Sequence, residues 1–173
     1  MALIGSTEQE RLRARFETEL DHDVTLLLFV QPPSGLYIPG RDEPQTGRET
    51  QQLVEELAAL SPKLHLAIHN PRLEPELAQR YRIERTPALL LRAGRPAERR
   101  DGQGPEPARG PEARQAEHGL VRFFGLPAGY EFATLVEDII DLSRRRTRLT
   151  DATRQALAQL PAPLHLQVFV TPT

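Results

Sequence analysis

Residues 24 to 30 read "VTLLLFV", seven positions of which only one, Thr25, is polar. A strand with one wet face alternates apolar and polar residues, so an unbroken run of this length predicts a central strand covered on both faces. Such a strand needs layers above and below it, and that restricts the chain to an α/β arrangement. The chain has 173 residues, 39% hydrophobic and 27% charged, enough to fill one such core.

The pattern on either side supplies those layers. Leu12, Phe16 and Leu20 fall at helical spacing, predicting an amphipathic helix over 7–20. A Pro- and Gly-rich loop follows the central strand. Leu53, Val54, Leu57 and Leu60 then predict a second helix over 46–60, closed by Ser61-Pro62. "KLHLAIH" alternates, with Leu64, Leu66 and Ile68 expected to face inward. Asn70-Pro71 reads as the N-cap of a short helix through "NPRLEPELAQRY". "TPALLLR" predicts another buried strand, turned at "AGRP". "GLVRFFG" predicts its hairpin partner, separated from it by a polar insertion over 97–118. Phe132, Leu135, Val136, Ile139 and Ile140 mark a last helix over 130–143.

The chain also repeats itself. Setting "VTLLLFVQPP" over "LHLQVFVTPT" places Leu26 opposite Leu166, Phe29 opposite Phe169 and Pro32 opposite Pro172. Upstream the same register sets Phe16 against Ala156 and Leu20 against Leu160, making "DATRQALAQL" a second copy of the leading helix. The expectation is one whole unit over 1–148, with residues 149–173 forming the first helix and strand of a second, truncated one.

"YRIERTPALLL" and "GLPAGYEFATLVEDIIDLSR" resemble the protein disulfide oxidoreductases, glutaredoxin-like proteins of two tandem thioredoxin-fold units. The N-terminal region of the alkyl hydroperoxide reductase flavoprotein subunit is similar. The resemblance implies a thioredoxin-like fold, a central mixed β-sheet flanked by helices, and a role in redox homeostasis. It also implies that a strand ending "FVTPT" runs into the more active Cys-x-x-Cys pair, expected beyond Thr173. The first unit's own pair would occupy Pro44, Gln45, Thr46 and Gly47. The bond between Thr86 and Pro87 would be cis, with the residue before the proline pairing through its backbone with a substrate peptide.

The chain contains no cysteine. A Cys-x-x-Cys pair acts through a thiolate stabilised at a helix N-terminus, and Pro, Gln, Thr and Gly supply no sulfur. Thr46 reads as a helix N-cap. No catalytic residue and no cofactor is therefore expected in this chain. His65 and His69 share a strand face about 13 Å apart, too far to hold one ion, so no metal is expected. Glu137, Asp138 and Asp141 read as a solvated helix face, with Arg144 or Arg145 as partners. The net charge of −2 offers no case for nucleic acid or a membrane surface, and no secretory leader is visible, which makes a cytoplasmic location the default.

The functional expectation is a redox-inert first half of a disulfide oxidoreductase, a scaffold or substrate-positioning unit. Its partners would be a protein or peptide substrate and its own second unit. The alternative is a complete, degenerate thioredoxin-like module for protein–protein interaction, or for homodimerisation through the terminal strand.

Overall fold

A computed structural model of the chain describes residues 2–31, 45–95, 121–162 and 164–169. The long loop before Thr46, Pro44 included, and the 97–118 insertion lie outside the described residues. The elements in chain order are α1 (Ser6–Glu19), β1 (Val24–Phe29), α2 (Gln45–Ala58), β2 (Leu64–His69), α3 (Pro75–Arg80), β3 (Ala88–Ala93), β4 (Val121–Phe124), α4 (Tyr130–Arg144) and α5 (Asp151–Ala158). The strands form one mixed sheet in the order β2-β1-β3-β4. β1 runs parallel to β2 and antiparallel to β3, and β3 and β4 are antiparallel.

All six residues of β1 are buried. Val24, Leu26 and Leu28 pack with Leu89 and Leu91 against α1, α2 and α4, through Leu12, Phe16, Val54, Leu57, Leu135 and Ile139. Leu27 and Phe29 point to the opposite face, where Ala88, Leu90, Ala78 and Tyr81 form a smaller core under α3. The polar exception is satisfied: Thr25 Oγ1 donates to the Gly94 carbonyl at 2.6 Å. Helices therefore cover both faces, three on one and a six-residue helix on the other.

Three expectations from the sequence need correction. Ile68 is not inward but 42% exposed, because β2 is an edge strand and the helical layer leaves the end of its inner face open. α3 does not start at Asn70-Pro71. Asn70 instead closes a turn, its Oδ1 accepting from the Arg72 N–H at 3.0 Å. The helix begins at Pro75, whose ring suits the first helical position where no N–H is needed. Finally, residues 164–169 form no strand and are exposed throughout. β1 is buried because it has a strand on each side and helices above and below. The segment 164–169 has the same apolar pattern, but no described strand pairs with it, and one isolated strand buries too little to hold its shape. α5, the predicted repeat of the leading helix, does form, capped by Thr150 through the Thr153 N–H at 3.2 Å, yet none of its residues is buried.

The two copies of the pattern should respond differently to the same cut. Leu26→Ala should cost about 2–5 kcal/mol in chemical denaturation, the range for a buried leucine. Leu166→Ala, at a side chain 79% exposed, should stay within about 0.5 kcal/mol.

Candidate functional site

The sheet register gathers the predicted site residues at one end of the molecule. Phe29, the last residue of β1, stands between His69 of β2 and Ala88 of β3. The Thr86–Pro87 peptide bond is cis and immediately precedes Ala88. The Gly125 N–H donates to the Pro87 carbonyl at 2.9 Å, carrying the β3–β4 ladder onto the proline. Gly125 has φ +92, a conformation that favours glycine and lets the chain turn away as it leaves β4.

Thr86 is half-buried, and its backbone N–H and carbonyl make no hydrogen bond to any described residue. Backbone groups beside a sheet normally find partners, so among the described residues this one leaves a donor and an acceptor open just before β3. The loop that presents it is fixed by the end of α3. The Ile83 N–H bonds the Ala78 carbonyl at 2.9 Å and the Arg82 N–H bonds the Gln79 carbonyl at 3.0 Å. That is a Schellman cap with Arg82 at φ +52 in the place that glycine usually takes. Because arginine stands there, the sequence carries no sign of it.

Around this point lie aromatic and charged groups that sequence reasoning misses. His69 stacks on Phe29 with ring centroids 5.2 Å apart, and its Nδ1 lies 3.0 Å from Glu74 Oε2. Tyr81 packs on Phe29 at 5.9 Å. The Arg85 guanidinium lies over the Phe124 ring, 5.1 Å from its centroid.

Of the positions expected to replace the redox pair, Gln45, Thr46 and Gly47 form the first turn of α2; Pro44 is not described. Thr46 lies inside that turn and is not its cap, and its carbonyl accepts from Thr50 Oγ1 at 2.6 Å. An alcohol and a buried glycine give this turn no group able to attack a disulfide.

His65 lies at the opposite end of the sheet from His69. Its Nε2 is 2.8 Å from Asp23 Oδ1, while Arg95 reaches Asp23 Oδ2 at 3.3 Å. The His65 hydrogen bond, then Arg95, holds the Asp23 carboxyl below the usual range. Among the described residues no group of three or more His, Cys, Asp or Glu side chains converges as a metal site.

The acidic face of α4 is not merely solvated, and its partners are not Arg144 or Arg145. Glu137 takes Arg148 from the segment after the helix and Arg15 from α1, the latter at 2.8 Å. Arg148 also reaches Asp141 at 3.0 Å, and Arg144 turns instead to Glu19 at 3.1 Å. Arg148 and Arg15 hold Glu137 below the usual glutamate range, whereas burial, with Asp141 adding to it, pushes Asp138 up. The depressed Glu137 contributes stability that is present above its unfolded value of about 4.3 and is lost as pH falls through its lower folded value. Glu137→Gln should therefore cost about 0.5–1 kcal/mol at neutral pH, as expected for a partly exposed pair within a network. The difference from the parent should close in acid, measured by denaturant melts across pH.

No protein-family model matches the chain, and no curated protein matches it. Solved structures do. The N-terminal domain of alkylhydroperoxide reductase AhpF from Enterococcus faecalis superposes with a TM-score of 0.63 at 21% identity, covering 91% of this chain and 61% of that one. A cysteine-to-alanine variant of AhpF from the same organism gives a TM-score of 0.62 at 21% identity, again covering 91% of this chain and 61% of that one. A protein disulfide oxidoreductase from Aeropyrum pernix gives 0.63 at 22%, covering 91% of this chain and 55% of that one. At such identities the likeness speaks for the fold alone, which is thioredoxin-like. The chain spans less than two thirds of the length of each of these structures.

Proposed function

We propose that this chain is the redox-inert, thioredoxin-like first half of a disulfide oxidoreductase. It serves as scaffold and positions an extended peptide at Thr86 and Pro87. Dithiol–disulfide exchange then belongs to cysteines of a second unit, which residues 149–173 begin and which continues beyond Thr173. The observation that carries this reading is a fold shared with AhpF and with a protein named as a disulfide oxidoreductase, in a chain of 173 residues holding no sulfur nucleophile.

Two further features support it. The open backbone donor and acceptor of Thr86, just before β3, match the pairing groups of an incoming strand. The helix and apolar segment over 151–169 repeat the pattern of α1 and β1, yet Leu164, Leu166, Val168 and Phe169 stand exposed where their counterparts in β1 are buried. A segment of that kind is what the opening of a second sheet would expose without its neighbours. The alternative, a complete interaction module, would bury the same side chains against a partner.

The chain itself should not accelerate dithiol-driven reduction of a small test disulfide above the uncatalysed rate. Measurable turnover would overturn the proposal. Sequencing the gene past codon 173 separates the two readings. An open frame leading into Cys-x-x-Cys and a further strand–helix pattern supports the first half of an oxidoreductase. A stop codon there leaves the interaction module.

A further inference from the structure

Arg85 and Arg122 flank Phe124 beside the cis proline. Leu90 pairs with Arg122 and Ala88 with Phe124, so both β4 side chains stand on the sheet face that carries α3. Arg85 reaches the same ring from the loop before Thr86. Arg82, Arg85 and Arg122 are all exposed, and none makes an ion pair among the described residues.

Arg13, Arg72 and Arg92 also make no ion pair among the described residues, while a second group of arginines is paired. Arg11, Arg15, Arg95, Arg144, Arg148 and Arg154 each meet a carboxylate. In the loop before the cis proline one acid, the exposed Glu84, stands between Arg82 and Arg85, so the positive charge there exceeds the negative. A guanidinium resting on an aromatic face is already oriented, with its N–H edge free to take a carboxylate through two parallel bonds.

We infer that the peptide taken at Thr86 is an acidic one, whose carboxylates at alternate positions are met by Arg85 and Arg122 on either side of Phe124. The inference rests on the peptide-positioning role proposed above. Its geometry follows from strand periodicity. Residues two apart on an extended peptide lie about 7 Å apart on one face, so successive carboxylates of an alternating peptide form one charged edge for the exposed guanidiniums of Arg85 and Arg122 to meet. A peptide is favoured over a nucleic acid because the open groups beside the arginines are a backbone N–H and carbonyl, which pair with another peptide strand.

The test uses the whole chain and three labelled peptides of equal length, built from Val-Glu, Val-Gln and Val-Lys repeats, followed by fluorescence anisotropy. The Val-Glu peptide should bind about tenfold tighter than Val-Gln at low ionic strength, and the gap should shrink in salt. Arg85→Gln with Arg122→Gln should bring the Val-Glu peptide to the affinity of Val-Gln. Arg85→Glu with Arg122→Glu should move the preference to Val-Lys. Both pairs are surface changes, and circular dichroism confirms that each variant is folded. Equal binding of all three peptides overturns the acidic preference and leaves the peptide-positioning role standing. So does a preference that survives both variants. Absence of binding by any peptide overturns both, and tighter binding of a single-stranded oligonucleotide overturns the choice of a peptide.

Discussion

The burial of β1 on both faces is the constraint on which the rest depends. Leu26 and Leu28 face the three-helix layer while Leu27 and Phe29 face α3, and each of these four side chains is buried. A strand so placed needs a partner on each edge, which β2 and β3 provide. It also needs a satisfied partner for its one polar side chain, which the Gly94 carbonyl provides. Fixing Gly94 over Thr25 fixes the far end of β3, and the antiparallel register then sets Ala88 and the cis proline beside Phe29. The position of the candidate site is thus a consequence of how the first strand is buried.

The layer that covers β1 is held from outside by charge as well as by packing. Arg15 of α1 and Arg148, beyond α4, converge on Glu137, and Arg144 crosses to Glu19. Ser143, fully buried, bonds both the N–H and the carbonyl of His22 in the turn after α1. Each exposed ion pair is worth little alone. Together they fix the angle at which α4 leaves the core and anchor the segment that leads to α5.

Legibility in the sequence follows the range of the interactions concerned. β1 and β3 are readable because continuous apolar runs have few alternative uses, and the β3–β4 hairpin is readable across its insertion because the β-branched and aromatic residues of "VRFF" suit a strand. The start of α3 is misplaced because Asn70-Pro71 and Glu74-Pro75 look alike locally, and only the turn hydrogen bonds of Asn70 separate them. Ile68 is misplaced because strand alternation says which face a residue takes and not how far the covering layer extends. At the site, Thr86 and Pro87 are found through family resemblance. The Arg85–Phe124 contact joins residues far apart in sequence, and no local spacing announces it.

The clearest lesson lies in the two copies of one pattern. "VTLLLF" is the best buried strand of the fold, whereas "LHLQVF", in the same register behind the same kind of helix, is exposed and unpaired among the described residues. Both have the apolar content to be a sheet centre. What differs is company: β1 has β2 and β3 at its edges and helices on its faces, and 164–169 has no described strand beside it. Apolar pattern therefore states what a segment can become, while neighbours decide whether it does. The same reasoning applies to the site. The register of β1 and β3 sets the cis proline beside Phe29, with the Thr86 backbone groups unpaired among the described residues. None of these features needs sulfur, and the peptide-holding role proposed above rests on them alone.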